Sequence, residues 1–152
     1  MRELVELLLA NLDAAYARRG WHGITLRRAV RGLSAEDVAW RPAKGRHNIW
    51  ELTVHAAYWK FVARRRLGGA KGDSFAFSGR DWFAAPATID DAAWQHAVRL
   101  LDDEHQRLRE VVASLTDADL RDPKKKRLVY GVAAHDVYHT GQIQLVKRLR
   151  SS

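Results

Sequence analysis

The stretch Leu128-Val-Tyr-Gly-Val-Ala-Ala-His135-Asp-Val-Tyr-His139-Thr-Gly-Gln142-Ile143-Gln-Leu-Val146-Lys-Arg-Leu-Arg150 decides the fold class. Val132, His135, His139, Ile143 or Gln142, and Val146 recur at helical spacing, which predicts a helix from about 128 to 150 with one apolar stripe. The stripe carries two histidines four residues apart. Residues at i and i+4 share a helix face, roughly 5–6 Å apart at Cβ, so two imidazoles placed this way can grip one metal ion.

Three more stripes lie upstream. Leu4, Leu8, Leu12 and Ala15 predict a first helix from about Arg2 to Arg19, ended by Gly20. Two short helical turns follow, the later one capped by Ser34 with Asp37 at N3 and a Leu33/Val38 staple. Asn48 and Glu51 stand in capping-box spacing and open a second long helix that runs to about Leu67 and stops at Gly68-Gly69. Its stripe is Leu52, His55, Trp59 and Val62. A third helix is expected from about Thr88 to Leu115, on Trp94, Val98, Leu101, His105, Leu108, Val112 and Leu115.

No segment alternates as a strand would. The class is therefore all-α, and four stripes facing one axis make a four-helix bundle. Residues 69–89 form a connection far longer than the usual ~4–6 residues, with Phe75, Phe77, Trp82 and Phe83 to pack on the body. It is long enough to cross a bundle of about 30 Å. The expected order is up-down-down-up, with the long crossover between helices two and three. The polar turn Thr116–Arg127 suits an antiparallel pair of helices three and four.

The 152 residues, 47% hydrophobic with three prolines, read as a single domain over 1–152. The net charge of +8 gathers in Arg64–Arg66, Lys124–Arg127 and Lys147–Arg150. A basic balance permits nucleic-acid or anionic-lipid binding. No helix, however, shows a polybasic face interleaved with aromatics, which argues against a nucleic-acid partner. The absence of cysteine excludes a disulfide and a protein thiol as nucleophile or ligand. The N-terminal apolar run is broken by Glu3 and Glu6, so neither a signal-peptide core nor a membrane span is expected, and the chain is placed in the cytoplasm.

Seven histidines are present. His22, His47 and His96 fall at turns or outer faces and suit structural or surface roles. His135 and His139 sit on the stripe, where two unpartnered imidazoles would cost several kcal/mol and one metal would satisfy both. His55 lies near mid-height of its helix, as they do of theirs, so the three can share a level. Three neutral imidazoles leave open positions on zinc, nickel, iron or manganese. His105, on the third stripe, could be a fourth ligand, a pocket wall or a core residue, with the ligand role ranked last. Asp136 and Tyr138 point away from the ligands, and Glu51 is a cap. Gln142, one turn past His139, could orient a ligand or a bound water, or tie two helices together. Trp59, one turn past His55, is a candidate pocket wall.

Trp50-Glu51-Leu52-Thr-Val-His55, followed by His135-xxx-His139-Thr-Gly141-Gln142-Ile143, resembles the DinB/YfiT-like proteins. Trp21-His22-Gly23 and Asn48-Ile49-Trp50 carry the same likeness, in order and at suitable spacings over nearly the whole chain. The resemblance implies an up-down-down-up four-helix bundle. It also implies a divalent metal on three histidines, which map onto His55, His135 and His139, and a homodimer. Characterised members include S-transferases that use bacillithiol or mycothiol, and a thiol-dependent isomerase.

Three functions follow as expectations. The first is a transferase in which the metal lowers the pKa of a low-molecular-weight thiol for attack on an electrophilic small molecule; Arg64–Arg66 could meet an anionic cofactor. The second is metal-assisted hydrolysis at the same site, disfavoured because no carboxylate on the histidine-bearing stripes stands out as general base. The third is a non-enzymatic basic binding protein. No residue is assigned a catalytic role.

Overall fold

Caps decide where each helix starts. The computed structural model describes residues 2–68 and 71–152, and in them the chain forms six α-helices. These are α1 (Glu3–Tyr16), α2 (Leu26–Ala29), α3 (Ala35–Ala39), α4 (Ile49–Arg66), α5 (Asp91–Ser114) and α6 (Pro123–Ser151), with a 3-10 turn at Asp119–Arg121. Among the described residues there is no strand, only one isolated bridge between Gly20 and Gly23. The all-α helical bundle is as expected.

Capping boxes form at Ser34/Asp37 and at Asn48/Glu51, each cap worth about 1 kcal/mol. Three boundaries differ from the expected ones. α1 ends at Tyr16, short of Arg19, because the amides of Ala17 and Arg18 both turn back to the Asp13 carbonyl. α5 begins at Asp91, past Thr88, because the Asp90 carboxylate accepts from the Ala93 amide at 2.7 Å. α6 begins at Pro123, well before Leu128. Asp122 caps it through the Lys124 amide, and Pro123 sits in the first turn, where its missing N–H costs nothing. Lys124–Arg127 are thus helical and not part of a turn. α4 stops at Arg66, with Gly68 at φ 107; Gly69, the other half of the expected stop, lies outside the described residues.

The core divides into two clusters. One joins Ile49, Trp50, Leu52, Val54 and Ala57 to Trp94, Val98, Leu101, Ile143 and Val146. The other joins Val5, Leu8 and Leu12 to Ala63, Leu67, Leu108, Val112, Val129 and Val132. Contacts fix how the helices face each other. Asp13 binds Arg109 and the Val5 amide reaches Asp117, so α1 and α5 run oppositely. His55 meets His139 while Ala63 and Leu67 share a cluster with Val129, so α4 and α6 also run oppositely. The main helix contacts are α4 with α5, α1 with α6 and α4 with α6. The expected pairing of α5 with α6 is not among them. Buried Leu115 and Leu120 draw the short link into the second cluster, beneath α1 and α4.

α4 is buried on almost every face from Ile49 to Ala57, because α3, α5, α6 and the 71–90 segment all cover it. Phe75, Phe77 and Phe83 form an aromatic cluster against Tyr58 and Trp50, which docks that segment onto α4. No helix among the described residues is long and apolar enough to cross a membrane.

Candidate metal centre

His55 of α4 meets His135 and His139 of α6 at one point. His55 Nε2 lies 3.1 Å from His135 Nε2, and His139 Nε2 lies 2.9 Å from the same atom. Together the three could hold a metal ion, their ligand atoms all within 4.8 Å of one another. Two nitrogens bound to one tetrahedral zinc at about 2.0–2.1 Å would stand ~3.4 Å apart, close to this spacing.

Outer partners set the tautomers. His55 Nδ1 donates to the Asp81 carbonyl at 2.8 Å, and His139 Nδ1 donates to Gln142 Oε1 at 2.6 Å. The Nε2 lone pairs of both rings therefore face the common point, and one proton on His135 Nε2 cannot answer both fully. His135 Nδ1 is buried without any partner. A cation would satisfy the converging Nε2 lone pairs, with His55 and His139 held from behind as ligating imidazoles usually are and His135 not so held. Burial keeps the rings neutral. It pushes His135 down to about 3, helped by His139 and His55, and His139 down to about 4; His55 also falls below its ordinary 6.5.

Two residues of the 71–90 segment complete the surroundings, and sequence periodicity gave no sign of them. Asp81 is the one non-glycine residue with positive φ among those described, at 67°. That twist aims its carbonyl at His55 while its carboxylate accepts from Trp59 Nε1 at 2.8 Å. Trp82 then lies flat between His47 and His55, ring centroids 3.6 and 3.8 Å away. The only available signal was composition: an acid and an aromatic side by side in an over-long loop.

Glu51 is more than a cap. Arg41 binds it with two hydrogen bonds, at 2.6 and 2.8 Å, His47 contacts it at 3.0 Å, and the Ala85 amide donates to it at 3.2 Å. Against a burial that would raise it, the Arg41 and His47 contacts hold its carboxyl down at about 2. Glu51 thereby ties down the far end of the segment bearing Asp81 and Trp82. Arg64 ties down the near end: buried, it binds Glu104 at 2.6 Å and Asp73 at 2.5 Å. It is therefore an internal strut, closed to the anionic cofactor that the Arg64–Arg66 run suggested; Arg66 alone of the three borders a cavity beside His135.

His105 stands apart from the cluster. It stacks on Tyr16 with ring centroids 3.7 Å apart, and its Nδ1 is 3.3 Å from Lys60 Nζ. Lys60 is fully buried and binds Asp136 at 2.5 Å. Asp136 does point away from the histidines, into this pair. Burial pushes Lys60 down and Asp136 up, and each partner's charge opposes the shift. Burial also pushes His105 down to about 2, with Lys60 and Arg109 adding to it. Trp59 borders both the cluster, edge-on to His135 at 6.3 Å, and the cavity beside it. Gln142 accepts from the His139 ring nitrogen at 2.6 Å.

Comparison with curated proteins and with solved structures yields no significant match. A family model described as DinB superfamily matches residues 21–143, a span that takes in His55, His135, His139 and Gln142. The chain belongs to the DinB superfamily.

Proposed function

We propose that the chain is a metal-dependent transferase that activates a low-molecular-weight thiol for attack on an electrophilic small molecule. One observation carries the metal half of this reading: the Nε2 atoms of His55, His135 and His139 converge, with two of the Nδ1 protons tied down behind them. The thiol half rests on the likeness to thiol transferases. It agrees with a chain that has no cysteine of its own.

A divalent metal on these three nitrogens would leave open positions and lower the pKa of a thiol brought to them. The chain's own residues do the rest. Asp81 and Gln142 hold two imidazoles in the tautomer that presents Nε2. Trp82 covers the His55 side, so approach is left to the His135 side, where Trp59 and the cavity lie. Metal-assisted hydrolysis would need a carboxylate free to take a proton. Asp81 lies behind the His55 ring, its carboxylate 3.4 Å from Nδ1 and accepting from Trp59, and not on the Nε2 side where a metal would sit. A homodimer and a single domain over 1–152 belong to the same reading.

The test is conjugation of monobromobimane and chlorodinitrobenzene by metal-loaded, tag-free protein, with cysteine, glutathione, coenzyme A, bacillithiol and mycothiol. Turnover with at least one thiol, lost in His135→Ala, is expected. No turnover with any thiol, from protein shown to carry metal, would overturn the transferase reading.

A further inference from the structure

A cavity of about 850 Å³ opens between α4 and the first turns of α6, and His135 forms part of its wall. Trp59, Val62, Leu128 and Val132 make it apolar, while Arg66, Lys124, Lys125 and Arg127 stand around it. We propose that it binds a small soluble anion with an apolar body. The carboxylate, sulfonate or phosphate head sits among the four cations, and the body runs along Leu128 and Val132 toward His135.

Size and charge both point this way. The volume lies within the ~300–1,000 Å³ usual for small-molecule sites. The one acid in the wall, Asp122, is occupied as the cap of α6. Lys125 pairs with Asp119 at 3.5 Å, whereas Arg66, Lys124 and Arg127 have no ion pair among the described residues. Lys124–Arg127 also occupy the opening turn of a 29-residue helix with no acid in that turn. Cations there oppose the helix dipole. The Asp122 carboxylate at the cap answers part of this charge, and an anion held in the cavity would answer the rest. At 1.5 Å per residue, eight residues from Arg127 to His135 set a ligand length of about 12 Å. The cavity stands as a binding site on its own walls. That its occupant is the electrophile of the transferase rests on the function proposed above.

Metal-free protein separates the two ideas. It would be titrated with anilinonaphthalene sulfonate, with the uncharged phenylnaphthylamine, and with decanoate as competitor. The sulfonate is expected to bind once per chain, at least tenfold tighter than the neutral dye, and to be displaced by decanoate. Lys124→Glu with Arg127→Glu, and separately Val132→Trp, should each weaken it at least tenfold. Arg148→Glu, at the opposite end of α6, should leave it unchanged. Thermal stability of the double charge reversal should be unchanged or higher, since it relieves the conflict with the dipole. Equal affinity for both dyes overturns the proposal, as does indifference to all three cavity substitutions, or weakening seen only with a lower Tm. Vesicles of phosphatidylcholine with one quarter phosphatidylglycerol should leave the chain in solution. Pelleting abolished by the charge reversal would assign the cations to a membrane surface instead and also overturn it. Loss of thiol conjugation in the earlier test leaves this result standing, and the reverse holds too.

Discussion

Two polar groups are buried within a few residues of each other on α4 and α6, and they solve burial in opposite ways. On one side of α6, Lys60, Asp136, His105 and Tyr16 lie against one another: an ammonium meets a carboxylate, and an imidazole stacks on a phenol whose hydroxyl donates to Asp102. On the other, His55, His135 and His139 turn lone pairs toward one another with no countercharge between them. The first group pairs charge with charge, with one Asp136 carboxylate oxygen left without a hydrogen-bond partner. The second is a set of three that could hold a metal ion. Perturbed ionisation marks both, with His105 at about 2 and His135 at about 3, so a shifted pKa alone does not find the site. The convergence of three ring nitrogens on one point does.

The comparison breaks most visibly if a ligand is removed. His139→Ala should abolish stoichiometric metal uptake, measured by elemental analysis of tag-free protein, while His105→Ala keeps it. Metal lost from His105→Ala as well would mean that the two groups form one site. Next in size is Lys60→Met, which strands the Asp136 charge in the interior and should cost ~3–5 kcal/mol in urea unfolding. Adding Asp136→Leu should return most of that loss, because the buried charge then goes with its partner. A single substitution costing under about 1 kcal/mol would show that the two do not act as a pair.

Gln142→Leu and Asp81→Ala test the outer partners. Each should weaken metal affinity by 10–100-fold in competition with a chelator, leaving the fold intact. The remaining test is of pH. His135, His139 and His105 titrate in the folded chain far below their ordinary 6.5. Between those values the unfolded chain binds the extra protons, so stability of metal-free protein is present above pH 6.5 and is lost as pH falls below it. Tm should therefore drop from pH 6.5 toward pH 4, and less steeply in His105→Gln. A flat profile would contradict neutral burial in both groups.

How much of this was legible beforehand follows from periodicity. His135 and His139 share a face by spacing alone, and His55 stands on a stripe at matching height, so the cluster could be anticipated. Asn48 and Ser34 announce their helices through caps that act within three residues. Trp82 could be foreseen only as an aromatic that packs on the body, and Asp81 not at all, because a loop has no period and its docking depends on Glu51, Ala85 and Arg41 meeting across the fold. Lys60 was hidden for a different reason: lysine is almost never fully buried unless paired, and its partner is 76 positions away. The start of α6 was missed because Pro123 and four cations look like a turn, although proline suits a first helical turn well.

The unbroken course of α6 has a consequence for how such a chain can vary. One rod carries His135, His139, Gln142, Asp136 and the cations at its start. Inserting a single residue between Arg127 and His135 would rotate one end against the other by about 100° and lengthen the rod by about 1.5 Å. That would swing the histidines off His55 or the cations off the cavity. Side chains along α6 can be exchanged one at a time, but its residue count cannot drift.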